Sequence, residues 1–214
     1  MKELIEECLE LQVQLNKVAG GVTWEKMNYN WQLYAATELA ECCGHLSYEH
    51  WKDTPVDHQQ AFIEVIDILH FVISDMYCEM YGSSTEYKTA FILNALCNSV
   101  NLYYPTASSV DPETLMVNKP KKLGTQHCFQ LFKFFHKTPE QVFQMYLAKD
   151  VLNLFRQNHG YKQGTYNKIW SGREDNMYLD EIVSTFDFSK SNRKDRLYKE
   201  LKDRYTLYSG QTEG

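Results

Sequence analysis

This 214-residue chain has no apolar run of membrane-spanning length (about 18 residues), which argues against a transmembrane segment. Prolines number only five, so few helices should be interrupted. The six cysteines, at 8, 42, 43, 78, 97 and 128, form no C-x-x-C pair, so a zinc site has no support. Reduced thiols in a cytoplasmic protein are expected instead. Basic residues are outnumbered, 22 Lys and Arg against 28 Asp and Glu, which excludes the cationic coat of a protein that binds polymeric nucleic acid. A local cationic pocket is not excluded. The opening MKELIEECLELQVQL carries acids where a leader peptide needs a basic end and an apolar centre. No segment alternates like a strand and then turns, so the fold is expected to be all-α.

What is present is helical periodicity. It predicts helices over about 2–18, 28–50, 57–81, 86–103, 124–136, 139–158, 174–185 and 193–207. Thr138-Pro139-Glu140 is a start signal, with Thr as N-cap and Pro in the first turn. Pro105, Pro112 and Pro120 mark a long connection over 104–124. One catalytic domain spanning 1–214 is expected, with a mobile helical lobe around 84–136 and a frayed tail at 209–214. Aromatics are plentiful, 15 Tyr and 4 Trp among them, so rings that can stack on a base are available.

Ala61 to Ile73 is apolar except for Glu64, Asp67 and His70. A helix apolar nearly all round is buried, so those carboxylates must face the interior or a cleft. Residues three apart differ by about 60° around a helix, so Glu64 and Asp67 form a two-pronged edge. Glu38 and Glu41 repeat the spacing upstream. Four acids aimed at one point repel each other and are costly to bury, and a divalent cation relieves both problems. Magnesium takes oxygen ligands and commonly completes its shell with phosphate. The competing reading is pairing with Lys or Arg, but 38–81 contains only Lys52. His70 reads as a hydrogen-bonded core histidine.

The second feature runs from Phe155 to Asn176. Arg156, Lys162, Lys168 and Arg173 bring positive charge, Gly160, Gly164 and Gly172 let the backbone bend, and Tyr161 and Tyr166 add hydroxyls. Such a loop suits the side of a triphosphate that a metal does not hold.

These segments resemble the all-α dimeric dUTP pyrophosphatases, within the wider all-α nucleoside-triphosphate pyrophosphatases. The likeness is carried by Leu11-Gln-Val-Gln-Leu-Asn16, Trp24-Glu-Lys, Glu38-x-x-Glu41, His50-Trp-Lys52, Glu64-Val-Ile-Asp67 and above all Val151 to Asn176. It implies a helical bundle with a four-carboxylate metal site, hydrolysis of dUTP and dUDP to dUMP, two or more Mg2+ ions per site, and a homodimer. Glu38, Glu41, Glu64 and Asp67 match the metal ligands, and Glu41, or else Glu38, the acid that takes the water's proton. Gln12, Asn16, Trp51 and Asn153 fall where uracil and sugar are held, Gln12 being preferred to Gln14 because it shares a helical face with Asn16. Lys149, Arg156, Tyr161, Lys162 and Lys168 fall where phosphates are held. The segment 84–136 matches poorly and contributes no residue.

Three alternatives stay open. The scaffold could serve another nucleotide such as dCTP. It could be a di-iron carboxylate bundle, for which Asp67-Ile-Leu-His70 is a near match. It could be a non-catalytic helical interaction protein, although that leaves the buried acids and the cationic loop without a use.

Overall fold

A computed structural model describes residues 1–118 and 120–208. The tail expected to fray lies outside the described residues.

The order is α1 (Lys2–Gly20), a 3-10 turn (Trp24–Lys26), α2 (Trp31–His45), α3 (His58–Glu79), α4 (Thr85–Asn98), a π-helical turn (Ser99–Tyr103), α5 (Pro112–Val117), α6 (Thr125–Phe134), α7 (Pro139–Asn158), β1 (Ile169–Trp170), β2 (Arg173–Glu174), α8 (Asp175–Thr185) and α9 (Arg193–Tyr208). The all-α expectation is borne out. Among the described residues the one departure is β1 and β2, an antiparallel pair of two residues each. Ser171 and Gly172 connect them with φ of 47° and 79°, the left-handed pair that a tight hairpin turn demands.

Local chemistry sets the helix starts. Thr138 Oγ1 accepts from Gln141 N at 3.3 Å, and Gln141 Oε1 accepts from Thr138 N at 2.9 Å, closing a capping box on α7. Asp57 caps α3 by accepting from the backbone of Gln59 and Gln60. Asn30 caps α2 by accepting from Leu33 N. The helix read over 28–50 is therefore shorter, Trp31–His45, and residues 46–57 form a loop. The 104–124 connection contains α5, which Asp111 caps and Pro112 begins.

Helix α3 is the spine. Trp31 pairs with Cys78, Gln32 with Asp75 and His45 with Glu64, so α2 runs antiparallel along it. Helix α7 is the second buried element. Cys8 meets Phe143 and Gln12 meets Tyr146, so α1 lies parallel to α7. Both spines bury polar groups among apolar neighbours: Glu64, His70 and Ser74 on α3, and Lys149, Asp150 and Arg156 on α7. Residues of 84–136, including Ile92, Leu96, Phe129 and Phe132, enter the same core cluster as α1, α3 and α7. No helix among the described residues is long and apolar enough to cross a membrane.

Candidate active site

The antiparallel packing of α2 on α3 brings Glu38, Glu41 and Glu64 together, with one oxygen of each within 4.8 Å of the others. Glu64 is buried and Glu41 is exposed. Burial, with Asp67 and Glu64 beside it, pushes the Glu38 carboxyl up to about 9. Like charges this close favour the neutral form unless a cation sits among them. An oxygen-only donor set that is short of positive charge suits a hard divalent ion, so these residues fit the magnesium that the sequence led us to expect. His45 Nε2 lies 3.4 Å from Glu64 Oε1, and the carboxylate hydrogen bond raises the imidazolium pKa.

Asp67 stands beside this trio but not in it. Its Oδ2 is 2.9 Å from Lys149 Nζ and its Oδ1 is 3.4 Å from His70 Nδ1. Burial pushes its carboxyl up, and Lys149 and His70 outweigh that and hold it well below the usual range. The sequence window 38–81 offered no such partner because the cation comes from α7. His70 Nδ1 is also 2.8 Å from Ile66 O. Its Nε2 is 3.2 Å from the fully buried Asp150, and its ring stacks on Tyr146 at 3.9 Å. Burial alone would lower its pKa, but Asp150 and Asp67 on its two sides hold it up at about 9. This is the hydrogen-bonded core histidine the sequence suggested. Asp67 and His70, the near match to a di-iron motif, are instead engaged with Lys149 and Asp150 and are not in the carboxylate trio.

On the other side of Asp67 opens a cavity of about 440 Å³, a size suited to a nucleoside. Gln12, Asn16, Asn153, Arg156 and Tyr161 line it, as does Asp67 itself. Six residues singled out in the sequence thus converge, drawn from α1, α3, α7 and the loop after α7. Lys149 lies behind them and donates to Asn176 Oδ1 at 2.9 Å.

Three expected substrate residues are not themselves among those lining the cavity. Trp51 is 66% exposed and packs edge-on to His50 at 5.1 Å, away from this cavity, because α2 ends at His45 and the loop carries the indole to the surface. Lys162 Nζ donates to Ala19 O at 3.1 Å and Lys168 Nζ lies over the Tyr161 ring; Ala19 and Tyr161 both line the cavity, so the two lysines stand at its edge. Arg156 does reach the cavity, but its fork is engaged: Nε and Nη2 donate to Asp175 at 2.8 and 2.6 Å. Arg173 pairs with Glu181 at 2.7 Å.

The aromatic wall was not foreseen. Tyr29, Trp31, Tyr34 and Phe71 also line the cavity. Tyr34 meets Trp31 at 5.8 Å and Phe71 at 5.5 Å, both edge to face. A signal existed: Trp31, Tyr34, Glu38 and Glu41 recur at three- and four-residue spacing along one helix. The Gly160 turn shapes the loop. With φ of 91°, a Cβ there would fall 2.0 Å from Thr165 Oγ1, so only glycine lets the loop fold back on itself.

Comparison with known proteins agrees with this geometry. A family model described as dUTPase matches residues 4–161, well over half of the chain, and the chain belongs to that family. Its activity is that of a dUTP diphosphatase, giving dUMP. The curated proteins offer no match.

Proposed function

We propose that this dUTPase-family chain hydrolyses dUTP, and dUDP as well, in a magnesium-dependent reaction at the junction between the carboxylate trio and the amide-lined cavity. The observation that carries the reading is Asp67: it lines the cavity and its charge also acts on Glu38 in the trio. A nucleoside seated in the cavity has its phosphate tail directed toward the acids.

Glu38, Glu41 and Glu64, with Asp67 beside them, would hold the ions. Magnesium there supplies charge neutralisation and Lewis acidity toward water and phosphate oxygens. Glu41 is the exposed member of the trio, so it is the carboxylate that meets solvent. It takes the proton from the attacking water. The water oxygen bonds to the β-phosphorus, the bond from that phosphorus to the α–β bridging oxygen breaks, and dUMP leaves from pyrophosphate. With dUDP the second product is phosphate. Lys149, Arg156, Tyr161, Lys162 and Lys168 offset charge on the phosphates. Gln12, Asn16 and Asn153 hold the base and sugar. The enzyme works as a cytoplasmic homodimer on free nucleotides.

The test is dUTP turnover with magnesium and with EDTA, in the native chain and in Glu41→Gln. We expect magnesium-dependent release of pyrophosphate, and a loss on the order of 10³-fold in kcat for the variant with its helix content intact. Near-normal turnover by Glu41→Gln would overturn the proton assignment, and turnover unaffected by EDTA the metal assignment.

A further inference from the structure

Amide side chains alone do not tell uracil from cytosine, because an amide can present either end. The atom facing N3 of the base decides. Uracil carries N3–H and needs an acceptor there, whereas cytosine has a bare N3 and needs a donor.

In this protein the amides are not free to turn. Ser74 Oγ donates its one hydrogen to His70 O at 2.9 Å, so it can only accept from anything else. It accepts from Asn16 Nδ2 at 2.9 Å and from Gln12 Nε2 at 3.3 Å. Both amide nitrogens must therefore face Ser74. Gln12 Nε2 also donates to Asn16 Oδ1 at 3.0 Å. Gln12 Oε1, turned the other way, accepts from Tyr146 Oη at 2.5 Å. The hydrogen bonds run in one direction from Tyr146 through Gln12 and Asn16 to Ser74 and the His70 carbonyl. Every member is buried, and a reversed amide would turn an oxygen toward Ser74 Oγ, which has no hydrogen left to donate, so the bond there is lost. Asn16 keeps one N–H and one lone pair for the cavity, in a fixed order.

We infer that Tyr146 and Ser74 are positioning residues that set the choice of uracil over cytosine, by locking the orientation of Gln12 and Asn16. Tyr146 is not among the residues lining the cavity; Ser74 is, but its hydroxyl is taken up by His70 O and the two amides. This rests on the reading above that the two amides hold the base.

The experiment compares kcat/KM for dUTP and dCTP, with magnesium, in the native chain, Tyr146→Phe, Ser74→Ala and the control Tyr77→Phe. Tyr77 loses a comparable bond, to Thr89 at 2.8 Å, that is not part of the amide chain. We expect the dUTP-to-dCTP ratio to fall about tenfold in Tyr146→Phe and Ser74→Ala and to hold in Tyr77→Phe. Either of the two test variants suffices if the other does not fold. An unchanged ratio in both, an equal fall in Tyr77→Phe, or a native enzyme that does not discriminate overturns the inference while leaving dUTP hydrolysis in place. A native chain inert toward dUTP removes the functional reading itself, and the inference with it.

Discussion

Lys149 Nζ, buried on α7, lies 2.9 Å from Asp67 Oδ2 on α3. This ion pair joins the two spines of the fold at the point where the cavity meets the carboxylates. It also uses both groups in a way that competes with ligand binding: Asp67 cannot give the same oxygen to a cation, nor Lys149 its charge to a phosphate, while they hold each other.

Removing the cation should therefore expose the conflict. Lys149→Met leaves the half-buried Asp67 beside Glu38 without its main partner, and we expect a loss of about 1–3 kcal/mol in metal-free urea unfolding. Magnesium should restore part of that loss, because an ion can take the lysine's place. Equal destabilisation with and without magnesium would show that Asp67 does not contribute to the metal site.

The trio itself should trade stability for function. Glu38→Gln removes a carboxyl that, without metal, must take up a proton to be buried beside Asp67, Glu64 and Glu41. We expect a higher Tm in EDTA, by a few degrees, together with weaker activation by magnesium. A lower Tm in EDTA would mean that the acids are not in repulsion in the native fold.

The aromatic wall predicts a binding effect. Tyr34 is 37% exposed and sits on the cavity rim. Tyr34→Ala should raise KM for dUTP several-fold, within the roughly 0.5–1.5 kcal/mol of an aromatic contact, and change kcat little. Trp51→Ala, measured beside it, should have the smaller effect. The reverse order would mean that Trp51 reaches the base in the working enzyme.

The loop turn predicts a positional one. Gly160→Ala places a Cβ against Thr165 in a left-handed conformation, so a destabilisation of about 1–3 kcal/mol is expected. Because Tyr161 is the next residue and lines the cavity, KM should rise too. A variant with native Tm and KM would show that the turn tolerates a side chain.

Much of this was legible in the chain itself. The apolar surround of Glu64 and Asp67 announced a buried helix, and Thr138-Pro139 announced the start of α7, because burial and capping are local properties of sequence. The pairing of Glu38-x-x-Glu41 with Glu64 also followed from helical spacing once two such helices were supposed. The end of α2 was harder. No single residue between His45 and Tyr48 is a strong stop signal, so the loop that carries Trp51 outward went unread. The Ser171-Gly172 turn was missed because its strands are too short to show alternation.

Residue order and periodicity thus determined that the chain makes amphipathic and buried helices, where most of them begin, and which carboxylates can share an edge. Only the packed fold decided which groups neutralise each other: Lys149 with Asp67, Arg156 with Asp175, and Tyr146 with Gln12. The physical reason is that periodicity is written over a few consecutive residues. A buried polar group, in contrast, accepts whatever donor the docking of distant helices brings within about 3 Å.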